Sequence, residues 1–89
     1  MAVMIVQHQV KDYKAWKEMF DGALALRKKH GEVSATVYHD EKDPNKLTIV
    51  NIWDSMENAH KFAQSNDLKT AMEKGGVVGA PTIYFLKEA

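Results

Sequence analysis

The order in which strand-like and helix-like segments alternate is the feature that most limits what this chain can fold into. Val3 to Val10 is rich in β-branched residues, which favours a strand, and apolar residues at helical spacing follow it. The same succession of strand and helix begins again at Leu47. Two more strands, at Val33 to His39 and Thr82 to Leu86, give the order strand, helix, strand, strand, helix, strand.

The connections indicate how these strands pair. Asp40 to Lys46 is a polar loop with Pro44 and Asn45 at turn positions, so the strand from Leu47 to Trp53 should return antiparallel as a hairpin. Pro81 begins the last strand, where its missing amide hydrogen does little harm. This order predicts an α+β, ferredoxin-like βαββαβ fold with a four-stranded antiparallel sheet. A chain of 89 residues encloses one small core, so we expect a single domain over residues 1–89.

The first helix is predicted from its cap and its apolar stripe. The Asp12 carboxylate can cap the helix, and the stripe then recurs every three or four residues. The stripe consists of Tyr13, Trp16, Phe20 and Leu24. The helix should run to Lys29 or His30, because basic residues suit the negative end of the helix dipole and Gly31 favours a left-handed stop.

The second helical region is expected to be interrupted. Asp54 caps it in this prediction, with Glu57 completing an acidic capping box. Ser65-Asn66-Asp67 should break and re-cap the helix before Leu68 to Lys74, and Gly75-Gly76 should end it.

Composition excludes several classes of function. Twelve basic residues balance twelve acidic ones, which argues against nucleic acid or an anionic membrane as partner. The apolar start from Met1 to Val6 is too short for a signal peptide, and no run approaches the roughly 20 residues of a membrane span, so we expect a cytoplasmic protein. The absence of cysteine leaves oligomerisation as the means of adding buried area to a small core.

Three of the four predicted strands carry apolar residues on both faces. The opposing sets are Met4 and Val6 against Val3 and Ile5, Leu47 and Ile49 against Val50 and Ile52, and Ile83 and Phe85 against Tyr84 and Leu86. One face of the sheet can pack on the helices, but no element of the chain remains to cover the other. A second copy is the simplest partner, so we predict a homodimer in which two sheets face each other.

Three stretches, "DYKAWKEMF", "LTIVNIWDSMENAHKFAQSNDLKTAM" and "PTIYF", resemble the antibiotic biosynthesis monooxygenase-like family of the dimeric α+β barrel superfamily. The second stretch carries most of the resemblance, with a strand that ends in an aromatic residue, a helix cap, a glutamate in the first turn, a phenylalanine and a serine break. The resemblance covers nearly the whole chain. Its motifs specify the architecture better than the activity.

The resemblance implies two kinds of activity, both in the space between sheet and helices: cofactor-free oxygenation of polycyclic phenols or quinols, and haem degradation. The haem-degrading pattern has an asparagine on the first strand, a tryptophan in the second helix and a histidine after it. Here Gln7 and His8 lie on the first strand, Phe62 takes the tryptophan position and Met72 lies near the histidine position. Haem degradation is therefore not expected, and no cofactor is predicted.

Three polar residues are candidates for catalysis. His8 shares a face with Met4 and Val6, so it is either a general base or a strand-end histidine that bonds to solvent or a backbone carbonyl. Asn51 would be a buried carboxamide, which either orients a phenol or bonds to neighbouring backbone. Tyr38 either lends its hydroxyl to a pocket or is partly exposed on an edge strand.

Three aromatic residues, Trp16, Trp53 and Phe62, are candidates for the walls of a substrate pocket. Each is also explained by packing alone, because Trp16 belongs to a helical apolar stripe and a tryptophan at a strand-to-helix corner commonly seals the core.

Metal binding and nucleophilic catalysis receive no support from the sequence. The four histidines, His8, His30, His39 and His60, lack a metal-ligand spacing. His8 and His39 would lie two strand spacings apart, roughly 9 to 10 Å. The chain has no cysteine, and no serine lies on an elbow between strand and helix.

Two functions thus stay open. One is a cofactor-free oxygenase that binds a small aromatic or apolar molecule, with His8 as base, Asn51 and Tyr38 as orienting groups and the three aromatic residues as walls. The other is a non-catalytic, ligand-binding or stress-responsive dimeric barrel in which the same residues only fill the core.

Overall fold

The computed structural model describes residues 1–89 as one four-stranded antiparallel sheet with four helices. The elements in chain order are β1 (Ala2–Val10), α1 (Tyr13–Gly22), α2 (Leu24–Lys29), β2 (Glu32–His39), β3 (Lys46–Trp53), α3 (Met56–Ala63), α4 (Asn66–Lys74) and β4 (Val77–Lys87). The strand order is β2-β3-β1-β4, with β1 and β3 at the centre. The predicted ferredoxin-like α+β fold is confirmed.

The core lies between one face of the sheet and the helices. Ala2, Met4 and Val6 of β1 are nearly fully buried, as are Leu47 and Ile49 of β3. The helices close over them with Trp16, Ala59 and Phe62, and Trp53 at the end of β3 is completely buried. Because side chains alternate along a strand, the residues between these point to the opposite face, which no element of the chain covers.

The first helix differs from the prediction of one continuous segment, because the chain turns at Ala23 between α1 and α2. Gly22 is an unfavourable residue for a helix interior, and it precedes the turn directly. The Arg27 guanidinium donates to the Phe20 carbonyl and so satisfies an acceptor at the end of α1. As α1 ends early, the predicted stripe stops at Phe20, and Leu24 is 46% exposed.

The start of α3 also corrects the prediction in one detail. Ser55, not Asp54, is the N-cap, and its hydroxyl accepts from the Asn58 amide at 3.1 Å. Asp54 instead accepts from the Asn58 side chain at 2.8 Å and donates its backbone amide to the Gly31 carbonyl. A side chain at Gly31 would collide with the Asp54 carboxylate, and Gly31 has a φ of 107°, so glycine is required here. The predicted break between α3 and α4 is confirmed, with Ser65 capping α4.

Both edge strands contain irregularities that the sequence did not predict. Strand β4 begins at Val77 rather than near Pro81, and it bulges between Val78 and Thr82, opposite His8. Gly79, with a φ of 73°, and Pro81 lie in this bulge on an edge strand, where both residues are tolerated. In β2 the register shifts between Glu32 and Ser34, so Glu32 is buried and Val33 is 44% exposed.

Candidate functional site

A cavity between the sheet and the helices is the candidate site. Twelve of its fifteen lining residues are hydrophobic, and its volume is about 60 Å³. Strands β1 and β3 form its floor. Its walls include Trp16, Met19 and Phe20 from α1 and Leu68, Ala71 and Met72 from α4.

His8 lies at one end of the cavity floor, and one of its ring nitrogens is unpaired. Its Nδ1 is buried and has no hydrogen-bond partner. Burial lowers the pKa of His8 below its ordinary value of 6.5, so the imidazole is neutral at pH 7. Its ring packs against Trp16 in an edge-on contact with centroids 5.8 Å apart. His8 is therefore a neutral imidazole that lines a largely apolar cavity.

Asn51 lines the same cavity and belongs to a buried polar cluster with Arg27 and Glu32. The Asn51 Nδ2 donates to Glu32 Oε2 at 2.7 Å, and Arg27 Nε donates to both Glu32 oxygens at 3.0 Å. The guanidinium also lies 3.6 Å from the centre of the Phe20 ring, a cation–π contact. The Glu32 charge is thus compensated inside the protein.

His8 and Asn51 occupy opposite ends of the cavity. Asn51 pairs with Met4 in the β1–β3 ladder, and Met4 and His8 are four residues apart on β1. That spacing corresponds to about 13 Å along the strand. A ligand that contacts both side chains must therefore carry its two polar groups at opposite ends of its body.

Of the three aromatic candidates, Trp16 and Phe62 line the cavity and Trp53 does not. Trp53 lies behind Phe62, with ring centroids 5.0 Å apart, and its buried Nε1 has no partner. Trp16 stacks on Phe20 at 4.8 Å, which holds both rings against the cavity.

Tyr38 lies away from the other candidates. It pairs with Thr48 on β3 and points to the uncovered face of the sheet, where it is 57% exposed. The register places it on the opposite face from His8 and Asn51, because the alternation of β2 and β3 puts these side chains on different sides.

Two residues of the polar cluster, Arg27 and Glu32, were missed by the sequence reasoning. Arg27 was assigned to the basic end of a helix, and Glu32 lay just outside the predicted strand. They are five residues apart across a turn, a spacing with no periodic signature in a helix or strand. No alternation signal could have found Glu32, because extending β2 by one residue in strict alternation places Glu32 on the outward face with Ser34. The register shift between Glu32 and Ser34 turns it inward.

The remaining histidines lie outside the cavity. His30 contacts Asp67 at 2.9 Å, His39 contacts the Asp40 carbonyl at 2.8 Å, and His60 stacks on Phe85. His8 and His39 both pair with Leu47, two strand spacings apart as predicted. No group of three or more histidine, cysteine, aspartate or glutamate side chains is arranged to hold a metal ion. No helix is long and apolar enough to cross a membrane.

The overall geometry matches that of several solved structures. A protein provisionally described as an antibiotic biosynthesis monooxygenase from Bordetella bronchiseptica superposes with a TM-score of 0.83 at 16% identity, over 99% of this chain and 96% of that one. SnoaB, a cofactor-independent oxygenase from Streptomyces nogalater, superposes with a TM-score of 0.80 at 9% identity, over 99% and 92%. A similarly described monooxygenase from Nitrosomonas europaea gives 0.75 at 15% identity, over 99% and 98%.

Sequence comparison gives no such matches: no protein-family model fits the chain, and no curated protein resembles it significantly. The likeness is therefore carried by the backbone over almost the full length of each chain. The predicted resemblance is confirmed at the level of architecture, and the chain has the ferredoxin-like α+β fold of the antibiotic biosynthesis monooxygenase-like proteins.

Proposed function

We propose that this protein is a cytoplasmic, homodimeric, cofactor-independent oxygenase that acts on a small phenol- or quinol-like aromatic substrate in the cavity between sheet and helices. The observation that carries the proposal is His8, which lines the apolar cavity and whose buried Nδ1 has no hydrogen-bond partner. An unpartnered polar atom in such a place costs stability, and a substrate proton would supply the missing partner.

The reaction requires a base and an apolar space. His8 takes a proton from an acidic C–H of the substrate, and the carbanion transfers electrons to O₂ to form a peroxide at that carbon. The protonated imidazole returns the proton to the peroxide. Loss of water then converts a CH₂ group to a carbonyl, with one oxygen atom in the product and the other in water. The substrate supplies all the electrons, so the step needs no cofactor.

The walls of the cavity favour this chemistry. Trp16 and Phe62 offer flat faces to an aromatic ring, and the exclusion of water raises the basicity of a substrate anion and its tendency to give up electrons. Asn51 at the far end supplies the polar group that orients the ring system.

The homodimer in this proposal is supported by the uncovered face of the sheet. Val3, Ile5, Val50 and Ile52 are only half-buried there, and Tyr84 and Leu86 are 48% and 44% exposed. These side chains form one continuous apolar surface, since β1 lies between β3 and β4. Pairing with a second copy would remove that surface from water and add burial that a chain this small lacks.

The proposal is tested by oxygen uptake with anthrone, whose acidic CH₂ group can undergo the reaction above, and with 1,4-naphthohydroquinone. The latter has no CH₂ group, so it would lose an O–H proton to His8 and transfer two electrons to O₂, giving the quinone and hydrogen peroxide. The wild-type protein should consume O₂ above the uncatalysed rate, and His8→Ala should lower kcat by about 10²- to 10⁴-fold. His39→Ala is the matched control, because His39 is exposed and outside the cavity. Unchanged uptake in His8→Ala, or none in the wild type with either compound, would exclude this function.

One observation favours the second candidate, a non-catalytic ligand-binding or stress-responsive barrel. The Asn51 amide nitrogen is already bonded to Glu32, and the cavity is small and almost wholly apolar. Native mass spectrometry is a second way to distinguish the two candidate functions, because it reports the stoichiometry of the protein and any retained ligand together. A dimer that retains a small molecule but consumes no oxygen would favour the binding protein.

A further inference from the structure

Arg27 satisfies the Phe20 carbonyl and packs on the Phe20 ring, but those contacts do not explain the buried charge of Glu32, since a buried pair of charges is seldom more stable than apolar side chains of the same size. The position of the pair suggests another role. Glu32 accepts from Asn51, and Asn51 lines the cavity. Glu32 thus lies directly behind the one side-chain amide of the candidate site, and its partner Arg27 lines the cavity beside that amide.

The chemistry of the carboxylate decides which way that amide points. An ionised carboxylate only accepts hydrogen bonds, so the nitrogen end of Asn51 must face Glu32. Arg27 Nε pairs with this carboxylate in the interior through two contacts of 3.0 Å. The orientation of the amide is therefore set by the charge pair.

The oxygen end of Asn51 is left for a ligand. No protein group donates to Asn51 Oδ1, yet the fully buried side-chain atoms that lack a partner are only His8 Nδ1 and Trp53 Nε1. Asn51 Oδ1 is consequently in contact with open space, and the space that Asn51 lines is the cavity.

We infer that Arg27 and Glu32 are positioning residues that fix Asn51 as a hydrogen-bond acceptor, so that the cavity selects ligands with a hydroxyl or N–H donor over their methylated counterparts. This inference rests on the proposed function only for its site, because ligand selection does not require catalysis. Together with the spacing of about 13 Å between the two ends of the floor, it indicates a ligand with a donor at one end and its acidic proton at the other.

The test compares binding of 2-naphthol with binding of 2-methoxynaphthalene, followed by calorimetry. Wild-type protein should bind 2-naphthol about tenfold more tightly or better, since the methyl ether leaves a buried acceptor unpaired. Asn51→Leu removes the acceptor, so the preference should fall to within about twofold.

A second variant acts on the positioning pair. Arg27→Met combined with Glu32→Gln keeps the interior neutral and gives Asn51 a neighbour that can donate or accept, so its amide can turn over. The preference for 2-naphthol should again fall to within about twofold while the affinity for 2-methoxynaphthalene stays the same or rises. A pair with a purely structural role would change the melting temperature and leave this ratio unaltered.

Three results would overturn the inference. They are equal binding of both naphthalenes by the wild type, binding of neither up to about 1 mM, and a preference that survives both Asn51→Leu and the double substitution. The last result would assign the preference to His8. A protein that prefers 2-naphthol but consumes no oxygen would support this inference and exclude the oxygenase. The two proposals can therefore be contradicted independently.

Discussion

The two faces of the sheet are built from the same strands and yet have opposite surroundings. On the helix-covered face Met4, Leu47 and Ile49 are at most 3% exposed. On the other face Tyr84 and Leu86, with similar apolar character, are 48% and 44% exposed. The sheet therefore has an apolar surface on each face, but the chain has helices to cover only one of them. The covered face provides the stability and the cavity, and the open face is suited to a partner.

The largest effect is expected on the covered face. Trp53→Ala removes a completely buried indole and should lower the free energy of unfolding by about 3 to 5 kcal/mol, measured by urea denaturation. Trp53→Phe is the matched control: it keeps most of the ring and deletes the unpartnered N–H, so it should cost less than about 1.5 kcal/mol. Equal losses in the two variants would show that ring volume is not what Trp53 contributes.

A substitution on the open face is expected to change dimerisation rather than packing within the chain. Ile5→Lys places a charge at the centre of the apolar surface and should weaken the proposed dimer by about 100-fold, seen as a monomeric mass in light scattering at micromolar concentration. Ala25→Lys, on the exposed side of α2, should leave the mass unchanged. A wild-type protein that is monomeric under these conditions would contradict the role given to this face.

The pH dependence of oxygen uptake gives a smaller but more specific effect at the cavity. In the proposed reaction neutral His8 is the active form, and burial lowers its pKa, so kcat/KM should rise with pH and reach half its plateau below pH 6.5. At pH 6.5 and above, more than half of the imidazole is already neutral. The residual rate of His8→Gln should lack this inflection. A midpoint above pH 6.5 would point to another base.

The smallest effect is expected at the contact between His30 and Asp67, which joins the end of α2 to the first turn of α4. Asp67→Asn should cost less than about 1 kcal/mol, because the two side chains are partly exposed, at 26% and 51%. Thermal unfolding measures this loss. A loss comparable to that of Trp53→Ala would mean that α4 depends on this contact more than on its apolar side.

Much of the covered face was predictable because its signals are local. The period-two alternation of β1 and β3 identified Met4, Val6, Leu47 and Ile49, and the serine break identified the start of α4. The turn at Ala23 was not predicted, although Gly22 is a local signal that weakens the helix there; the turn is accompanied by a contact from Arg27 back to the Phe20 carbonyl. Such a contact is tertiary, and no helix-propensity argument contains it.

Some residues of the candidate site could likewise be predicted from local signals, and others could not. His8 and Asn51 could be named from their positions on inward faces of strands, whereas the exposure of Tyr38 followed from the pairing of β2 with β3 and from the direction of its side chain. Arg27 and Glu32 could not be found. Their contacts with each other and with Asn51 form only after the chain has turned from α2 into β2 and from β2 into β3, and after these two strands have paired.

By itself, the sequence determined the order of elements, the antiparallel sheet and the presence of two apolar faces, because each depends on periodicity and turn chemistry within a few residues. The tertiary structure alone decided that His8 and Asn51 line one cavity, that Trp53 lies behind Phe62, and that a buried charge pair orients the Asn51 amide. Those relations join residues distant in sequence, and their geometry is set by packing density and strand register rather than by any local preference.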